Sequence, residues 1–242
     1  MLLLRQLQVH MTKFTPEDTA NLAQDMRLAK DDGNPYAILM GAGCSITAGI
    51  PLARDLIRRI KLKYPHRVNQ LPTERQSDYG ACMSIMQPGE RKTLFDPLLK
   101  EAKVNWAHIG LACLVKNGFV GRVLTFNFDS ILARSCGICG HYPAIYDFGV
   151  APASTFQHIE LPSILHLHGQ GSGLRMMNSE TETEKHAKAL GPLFRDCFQK
   201  FPMLVTGYSG QSDGAFSEFS AAYEGQWPVR WAGFEEEPAT TI

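Results

Sequence analysis

Short apolar runs alternate along the chain with segments in which apolar residues recur at helical spacing. The apolar runs predict buried strands at residues 36–40, 119–126, 161–167, 201–206 and 229–234. Spacings of three and four residues predict helices near residues 16–30, 52–63, 105–116 and 182–200. Strands that alternate with helices are typical of a doubly wound α/β protein, so we expect a parallel sheet covered by helices.

The pattern loosens between residues 64 and 104. Prolines and a scarcity of apolar runs predict a helical or loop insertion there rather than sheet. Glycines after position 168 predict a loop over residues 169–181. We expect one domain over residues 1–242. The chain ends soon after the last predicted strand, which suggests one piece of a longer polypeptide.

Composition and charge exclude several classes of binding partner and cellular location. The 24 Lys and Arg residues balance the 24 Asp and Glu residues, so the net charge favours neither nucleic acid nor a membrane surface. No apolar run approaches the roughly 18 residues of a membrane span, and the N-terminus lacks the pattern of a signal peptide. Six irregularly spaced cysteines are too few for a disulfide framework. These features predict a soluble cytoplasmic protein.

Basic residues cluster locally on and after the predicted helix at 52–63. They are Arg54, Arg58, Arg59, Lys61, Lys63, His66 and Arg67. Beside a phosphate site such a cluster could steer anions, whereas on an isolated helix it forms a solvated face, which is the favoured interpretation.

Residues 37–51, AILMGAGCSITAGIP, carry the first candidate site. A buried strand that stops at Gly41-Ala42-Gly43 lets backbone N–H groups approach a pyrophosphate, with the positive end of the following helix directed at the charge. The segment is not an NTPase phosphate loop, because Ile50 stands where lysine is required. It also departs from the dehydrogenase fingerprint, because Ile46 replaces the third glycine and no acid follows about twenty residues later.

The second motif, Thr125-Phe126-Asn127-Phe128-Asp129, follows the strand at 119–126. Polar residues bracketed by phenylalanines suit a buried pocket with a few directed hydrogen bonds. The Asn127 side chain donates and accepts at once, so it can hold a ribose hydroxyl or a water molecule. The alternative is a turn in which Asp129 caps the next helix.

Two more motifs end the later strands. In Leu165-His166-Leu167-His168-Gly169, alternation places both histidines on one strand face. His168 at the strand end suits general-base catalysis, because the ordinary imidazole pKa is about 6.5, while His166 is interpreted as a hydrogen-bonded structural residue. The segment 206–213, TGYSGQSD, predicts close approach to phosphate or ribose, with a simple tight loop as the alternative.

In this order the motifs resemble the hallmarks of the sirtuin family: GAG-x-S-x-x-x-GIP, T-x-N-x-D, a His-Gly at a strand end and a late G-x-S. The matching residues are Gly41, Ala42, Gly43, Ser45, Gly49, Ile50, Pro51, Thr125, Asn127, Asp129, His168, Gly169, Gly207 and Ser209. The resemblance spans residues 36–233. It implies an α/β fold with a doubly wound, mostly parallel Rossmann-like sheet, and NAD as the substrate.

Departures from the family pattern indicate which branch of the family the chain resembles. Deacylating sirtuins usually carry a zinc module with two Cys-x-x-Cys pairs, whereas this chain has only Cys136 and Cys139, with His141 as a third ligand at best. We therefore expect no zinc module and no bound zinc. Leu52-Ala53-Arg54 replaces the usual Asp-Phe-Arg, and Phe126 replaces a glutamine. The pattern is more similar to the sirtuin-like effector domains of bacterial antiphage systems, which hydrolyse NAD.

This resemblance implies a role for each matching side chain. Asn127 and His168 would be catalytic. The cofactor-binding residues would be Gly41, Ala42, Gly43, Ser45, Pro51, Arg54, Thr125, Asp129, Gly207 and Ser209. Within that set, the backbone of residues 41–45 would hold the pyrophosphate, Arg54 would contact a phosphate, and Gly207 and Ser209 would face the adenosine ribose.

The hypothesis that follows is an NAD glycohydrolase that depletes cellular NAD in antiphage defence. An NAD-dependent protein deacylase is the alternative, and a non-catalytic domain that binds NAD or ADP-ribose is the third. A toxic hydrolase must be restrained, so we expect self-assembly into a homo-oligomer, or an appended or separate sensor protein. We expect no direct contact with nucleic acid or membrane.

Overall fold

The computed structural model describes residues 15–173, 175–210 and 214–233. The last three residues of the TGYSGQSD motif and the end of the predicted strand at 229–234 lie outside the described residues. The described helices include none that is both long enough and apolar enough to span a bilayer.

Among the residues described, six strands form one sheet in which all neighbours are parallel. The strands are β1 (Tyr36–Met40), β2 (Val120–Thr125), β3 (Ala144–Asp147), β4 (Ser163–His166), β5 (Met203–Thr206) and β6 (Val229–Ala232). Their order is β3-β4-β2-β1-β5-β6, so the chain leaves β1 toward β2 and later crosses back to β5. The carboxyl ends beside β1 therefore form the switch point at which such sheets bind ligands.

Nine α-helices surround this sheet within the described residues. They are α1 (Pro16–Asp31), α2 (Ala53–Lys63), α3 (Pro65–Val68), α4 (Tyr79–Ser84), α5 (Pro88–Glu101), α6 (Trp106–Lys116), α7 (Ile131–Ile138), α8 (Glu180–Lys200) and α9 (Ala215–Ala221). Helices α8 and α9 supply a core rich in phenylalanine on one face, and α1, α6 and α7 cover the other. Burial on both faces explains the continuous apolar strands. The predicted doubly wound α/β fold is confirmed.

The segment between β1 and β2 contains helices and no described strand, as predicted for residues 64–104. Its helices pack with α2 around a separate apolar cluster that includes Ile60, Met83 and Phe95. An ion pair of 2.7 Å joins Arg91 of α5 to Glu182 of α8. The ion pair therefore connects the insertion to α8, the helix that packs on the phenylalanine-rich face of the sheet.

Several elements differ from the sequence prediction. Strand β3 was not predicted; it is a half-buried edge strand of four residues, held by pairing with β4 rather than by its own pattern. A 3₁₀ helix, Ala42–Ala48, follows the glycines directly, and the first α-helix after β1 begins only at Ala53. Strand β4 ends at His166, so regular alternation stops before His168.

Candidate active site

The parallel register brings all four sequence motifs to one edge of the sheet. Met40 at the end of β1 pairs with Thr125 of β2 on one side and with Thr206 of β5 on the other. Thr125 in turn pairs with His166 of β4. Four residues far apart in sequence therefore form one row across the sheet, and the loops that follow them are neighbours.

The glycine loop packs directly against the loop that follows β5. The Gly41 N–H donates to the Thr206 carbonyl at 3.0 Å, and the Gly43 N–H donates to the Gly207 carbonyl at 2.8 Å. A Cβ on Gly43 would lie 2.9 Å from the Gly207 Cα, so only glycine permits this approach. Gly207 itself has a φ of +64°, which also favours glycine. The absence of side chains at these glycines therefore lets the backbone of the loop after β1 pack directly on that of the loop after β5.

Asn127 is buried, with 8% of its surface exposed, and its side chain has a defined orientation. Its Nδ2 group donates to the Gly41 carbonyl and to the Ser45 hydroxyl, both at 3.1 Å. Because a carbonyl can only accept, the Gly41 contact decides which end of the amide is nitrogen. The Oδ1 atom accepts no hydrogen bond from the described residues, so it remains available to a ligand hydroxyl or a water molecule.

Ser45 and Asp129 form a hydrogen-bonded chain that holds the Asn127 side chain in place. The buried Ser45 hydroxyl donates to Asp129 Oδ2 at 2.9 Å, while it accepts the bond from Asn127. The other oxygen of Asp129 accepts from the Ile131 N–H at 3.0 Å, at the start of α7. Asp129, which precedes the N-cap residue Ser130, therefore contacts both the first residue of α7 and the hydroxyl of Ser45. Thr125 adds a link by donating to the Met40 carbonyl at 2.9 Å.

The two histidines of the third motif have different surroundings. His166 Nδ1 donates to the Asn127 carbonyl at 3.1 Å, and burial lowers the pKa of His166. His168 is also buried, and its ring centroid lies 4.7 Å from that of Phe126 and 6.1 Å from that of His186. His166 is thus a hydrogen-bonded structural residue, as predicted, whereas His168 is held among aromatic rings.

Asn127 and His168 follow adjacent parallel strands at equivalent positions. The last pair of the register is Thr125 with His166, and the Leu167 N–H donates to the Thr125 carbonyl at 2.8 Å, so Asn127 and His168 each lie two residues beyond paired strand ends. Asn127 contacts the glycine loop directly, and the Phe126 ring lies next to His168. The same ring lies 5.0 Å from Tyr208 of the loop after β5, so aromatic groups connect these loops.

Arg54 and Ser209 line a cavity of about 480 Å³ beside this network. Its described lining residues are Ala53, Arg54, Ile57, Arg58, Lys61, Ser77, Tyr79 and Ser209. A second cavity of about 330 Å³ is lined by Thr47, Ala48, Gly49, Leu98, Glu101 and Lys103. Neither of these two cavities is lined by residues 41–45. Ala42 is exposed at the start of the 3₁₀ helix, and Pro51 lies half-buried between that helix and α2.

Sequence reasoning missed Asn105, which stabilises the glycine loop from α6. The Asn105 Nδ2 group donates to the Cys44 carbonyl at 2.8 Å and to the Thr47 hydroxyl at 2.9 Å. The sequence predicts only that a helix starts at Asn105, because no sequence spacing relates this residue to Cys44. Burial raises the pKa of the Cys44 thiol, which therefore stays protonated and is a poor nucleophile.

The predicted cysteine pair, Cys136 and Cys139, lies at the end of α7, close to Cys113 of α6. Cys113 Sγ and Cys139 Sγ are 3.9 Å apart, and burial raises the pKa of the neighbouring Cys136 to about 11. Within the described part of the chain, no group of three or more His, Cys, Asp or Glu side chains is arranged to hold a metal ion.

Comparison with known proteins identifies the fold. No protein-family model and no curated protein sequence matches the chain. The crystal structure of a Sir2 homologue–NAD complex matches with a TM-score of 0.55 and 17% identity, over 97% of this chain and 88% of that one. A structure on the structural basis of sirtuin substrate affinity matches with a TM-score of 0.49 and 17% identity, over 89% and 87%. The chain has a sirtuin-like fold.

Proposed function

We propose that this protein is an NAD glycohydrolase, which converts NAD and water to nicotinamide and ADP-ribose. The observation that carries the proposal is the orientation of Asn127, whose amide nitrogen is engaged by Gly41 and Ser45 while its oxygen is left to accept. His168, on the adjacent strand end, supplies a base. NAD is supported as the substrate because a structure with the same fold is a complex with NAD.

The reaction breaks the bond between the ribose C1′ and the nicotinamide nitrogen. Its transition state resembles an oxocarbenium ion, as in glycoside cleavage. The electron pair of the broken bond leaves with nicotinamide, which becomes neutral and needs no acid. A water oxygen forms the new bond to C1′, and the proton that this water loses passes to His168. Atoms and charges balance with water as the nucleophile and His168 as the proton acceptor.

Asn127 positions the reacting groups in this scheme. Its Oδ1 atom accepts a hydrogen bond from the attacking water or from a ribose hydroxyl, which restricts the approach of the nucleophile to C1′. Ser45 and Gly41 hold the amide in place, so little reorganisation is needed. The aromatic rings of Phe126 and Tyr208 exclude bulk water from the strand ends.

A nicotinamide-release assay with matched variants tests the proposal. We expect the protein to release nicotinamide from NAD without any acetylated peptide, and N127A and H168A to lose this activity. N69A and H66A change an exposed asparagine and an exposed histidine outside the site, so they should remain active. Release only with peptide would instead indicate a deacylase, and tight NAD binding without turnover would indicate a regulatory domain.

We further propose that the hydrolase is a cytoplasmic effector of antiphage defence, activated by self-assembly or by an appended or separate sensor. The sequence motifs, which resemble those of such effectors, support this role. Phage infection of bacteria that express the protein should lower cellular NAD, and the N127A variant should not lower it. An NAD pool that stays constant in infected cells with the active enzyme would contradict the defence role.

A further inference from the structure

Two cysteine thiols face each other between the ends of α6 and α7. Cys113 Sγ, in the last turn of α6, lies 3.9 Å from the Sγ of Cys139, the residue that caps the end of α7. Lys116 of α6 donates from Nζ to the Cys139 carbonyl at 2.7 Å, so a second contact joins the same two helix ends. The approach of the two sulfurs is therefore part of the packing of these helices.

The distance between these sulfurs is short enough for a bond to form with little rearrangement. Disulfide sulfurs lie about 2.05 Å apart, so the pair has to approach by roughly 2 Å. Rotation of the two side chains about their Cα–Cβ bonds moves the sulfurs on this scale while the helices stay packed. Both thiols are free in this structure.

The three cysteines at this place differ in their access to solvent. Cys113 is exposed, Cys139 is partly exposed, and Cys136 of α7 is buried. A small oxidant in solution therefore reaches Cys113 first. Burial raises the pKa of the Cys139 thiol, so Cys139 forms its thiolate less readily and is suited to the second step, in which it attacks an already oxidised Cys113.

We propose that Cys113 and Cys139 are a modification site, at which a hydroperoxide such as hydrogen peroxide forms a reversible disulfide between α6 and α7. The Cys113 thiolate attacks one peroxide oxygen, the O–O bond breaks, and hydroxide leaves, which gives a sulfenic acid. The Cys139 thiolate attacks the sulfenic sulfur, the S–S bond forms, and a second hydroxide leaves. The two thiol protons convert both hydroxides to water. Two thiols are thus oxidised, and one peroxide is reduced to two water molecules.

The disulfide joins two helices whose other ends hold the candidate active site. Asn105, at the start of α6, donates to the Cys44 carbonyl in the glycine loop, and Asp129 accepts from the first residue of α7. Oxidation therefore fixes the relative position of the two helices that support opposite sides of the site. The modification is independent of the proposed function, because its chemistry involves neither NAD nor the proposed catalytic residues.

Thiol counting on the full chain tests this assignment. After native protein is treated with hydrogen peroxide, we expect two of its six thiols to disappear and dithiothreitol to restore them. C113S and C139S should each lose no thiol to a disulfide. C136S changes the neighbouring buried cysteine and should still lose two.

Peptide mapping of the unmodified protein gives the same information without a variant. Trypsin cleaves after Lys116 and Arg134, between the two cysteines, so the predicted bond joins two peptides that mass spectrometry identifies. Protein oxidised in concentrated urea is the matched control, because its helices are unfolded and its thiols should pair without this preference.

Several outcomes would overturn the proposal. A bond between Cys136 and Cys139 would lie within one tryptic peptide, and a bond between the Cys113 residues of two copies would give a dimer on a non-reducing gel. Either of these as the main product would contradict the site, as would a full count of thiols after peroxide. The same mixture of pairings in native protein and in urea would also reject it.

Discussion

The hydroxyl of Ser45 donates a hydrogen bond of 2.9 Å to the carboxylate of Asp129, although the two residues are 84 positions apart in the chain. The same hydroxyl accepts the amide of Asn127 at 3.1 Å. One small side chain therefore joins the 3₁₀ helix after β1 to the start of α7 and orients the proposed catalytic amide between them. Ser45 is a positioning residue, since its contacts are with Asn127 and Asp129.

Replacement of Ser45 by alanine tests this relationship. We expect S45A to lower kcat for NAD by about tenfold or more while KM changes little, because Asn127 loses its orientation. The free energy of unfolding should fall by about 1–3 kcal/mol, since Asp129 and Asn127 lose a buried partner. Nicotinamide release and urea unfolding measure the two effects. S84A, at an exposed helical serine, should change neither, and an unaltered kcat in S45A would exclude the positioning role.

Gly207 allows a second test, of the contact between the two loops. A Cβ at this position would lie 2.6 Å from the Cys44 nitrogen, in addition to the strain of a φ of +64°. Gly225 has a φ of +80° and open space around it, so G225A isolates the backbone strain. We expect G225A to cost about 1–2 kcal/mol in urea unfolding and G207A clearly more. Equal losses in the two variants would show that the loops do not pack closely.

The ion pair between Arg122 of β2 and Asp196 of α8 is buried, with 2.8 Å between the atoms and 3% and 9% of the side chains exposed. Removal of the carboxylate strands a buried guanidinium, so D196A should lower the unfolding free energy by about 3–5 kcal/mol. Asp96 forms a more exposed pair with Lys92, and D96A should cost less than about 1 kcal/mol. Similar costs measured by urea unfolding would mean that Arg122 finds another partner.

Acidification should destabilise the protein through three histidines. Burial lowers the pKa values of His108, His166 and His186 below the ordinary 6.5. The unfolded chain therefore takes up protons near pH 6.5, whereas the folded protein takes them up only at lower pH. Stability is unaffected above about pH 7 and falls as the pH drops below 6.5, by up to about 1.4 kcal/mol per unit for each histidine.

Urea unfolding between pH 7.5 and 5.5 measures this dependence. The range lies above the titration of the carboxylates, so the histidines dominate the change. H166Q should be less stable at neutral pH, because it loses the bond to the Asn127 carbonyl, but its stability should vary less with pH. H66Q alters an exposed histidine and should keep the original slope. A flat profile for the unmodified protein would contradict burial of these rings.

Local pattern predicted much of this fold. Strand β1 has the predicted bounds, and α2, α6 and α8 begin within two residues of their predicted starts, because apolar periodicity is a property of neighbouring residues. Strand β3 could not be predicted in the same way, since its four half-buried residues are stabilised by β4 rather than by their own pattern. The basic cluster is predicted to form a solvated face, and Arg54, Arg58 and Arg59 are exposed, although Arg54 and Arg58 also line a cavity.

The sequence by itself determined the class of the fold and the presence of four polar motifs after buried strands, since strand propensity and glycine spacing are encoded locally. Tertiary structure alone decided which of these residues meet. Parallel pairing aligned Met40, Thr125, His166 and Thr206 in one row, and the packing of the loops gave Asn127 its partners at Gly41 and Ser45. Contacts between residues so distant in the chain depend on the packing of the whole sheet and its helices, which no local pattern contains.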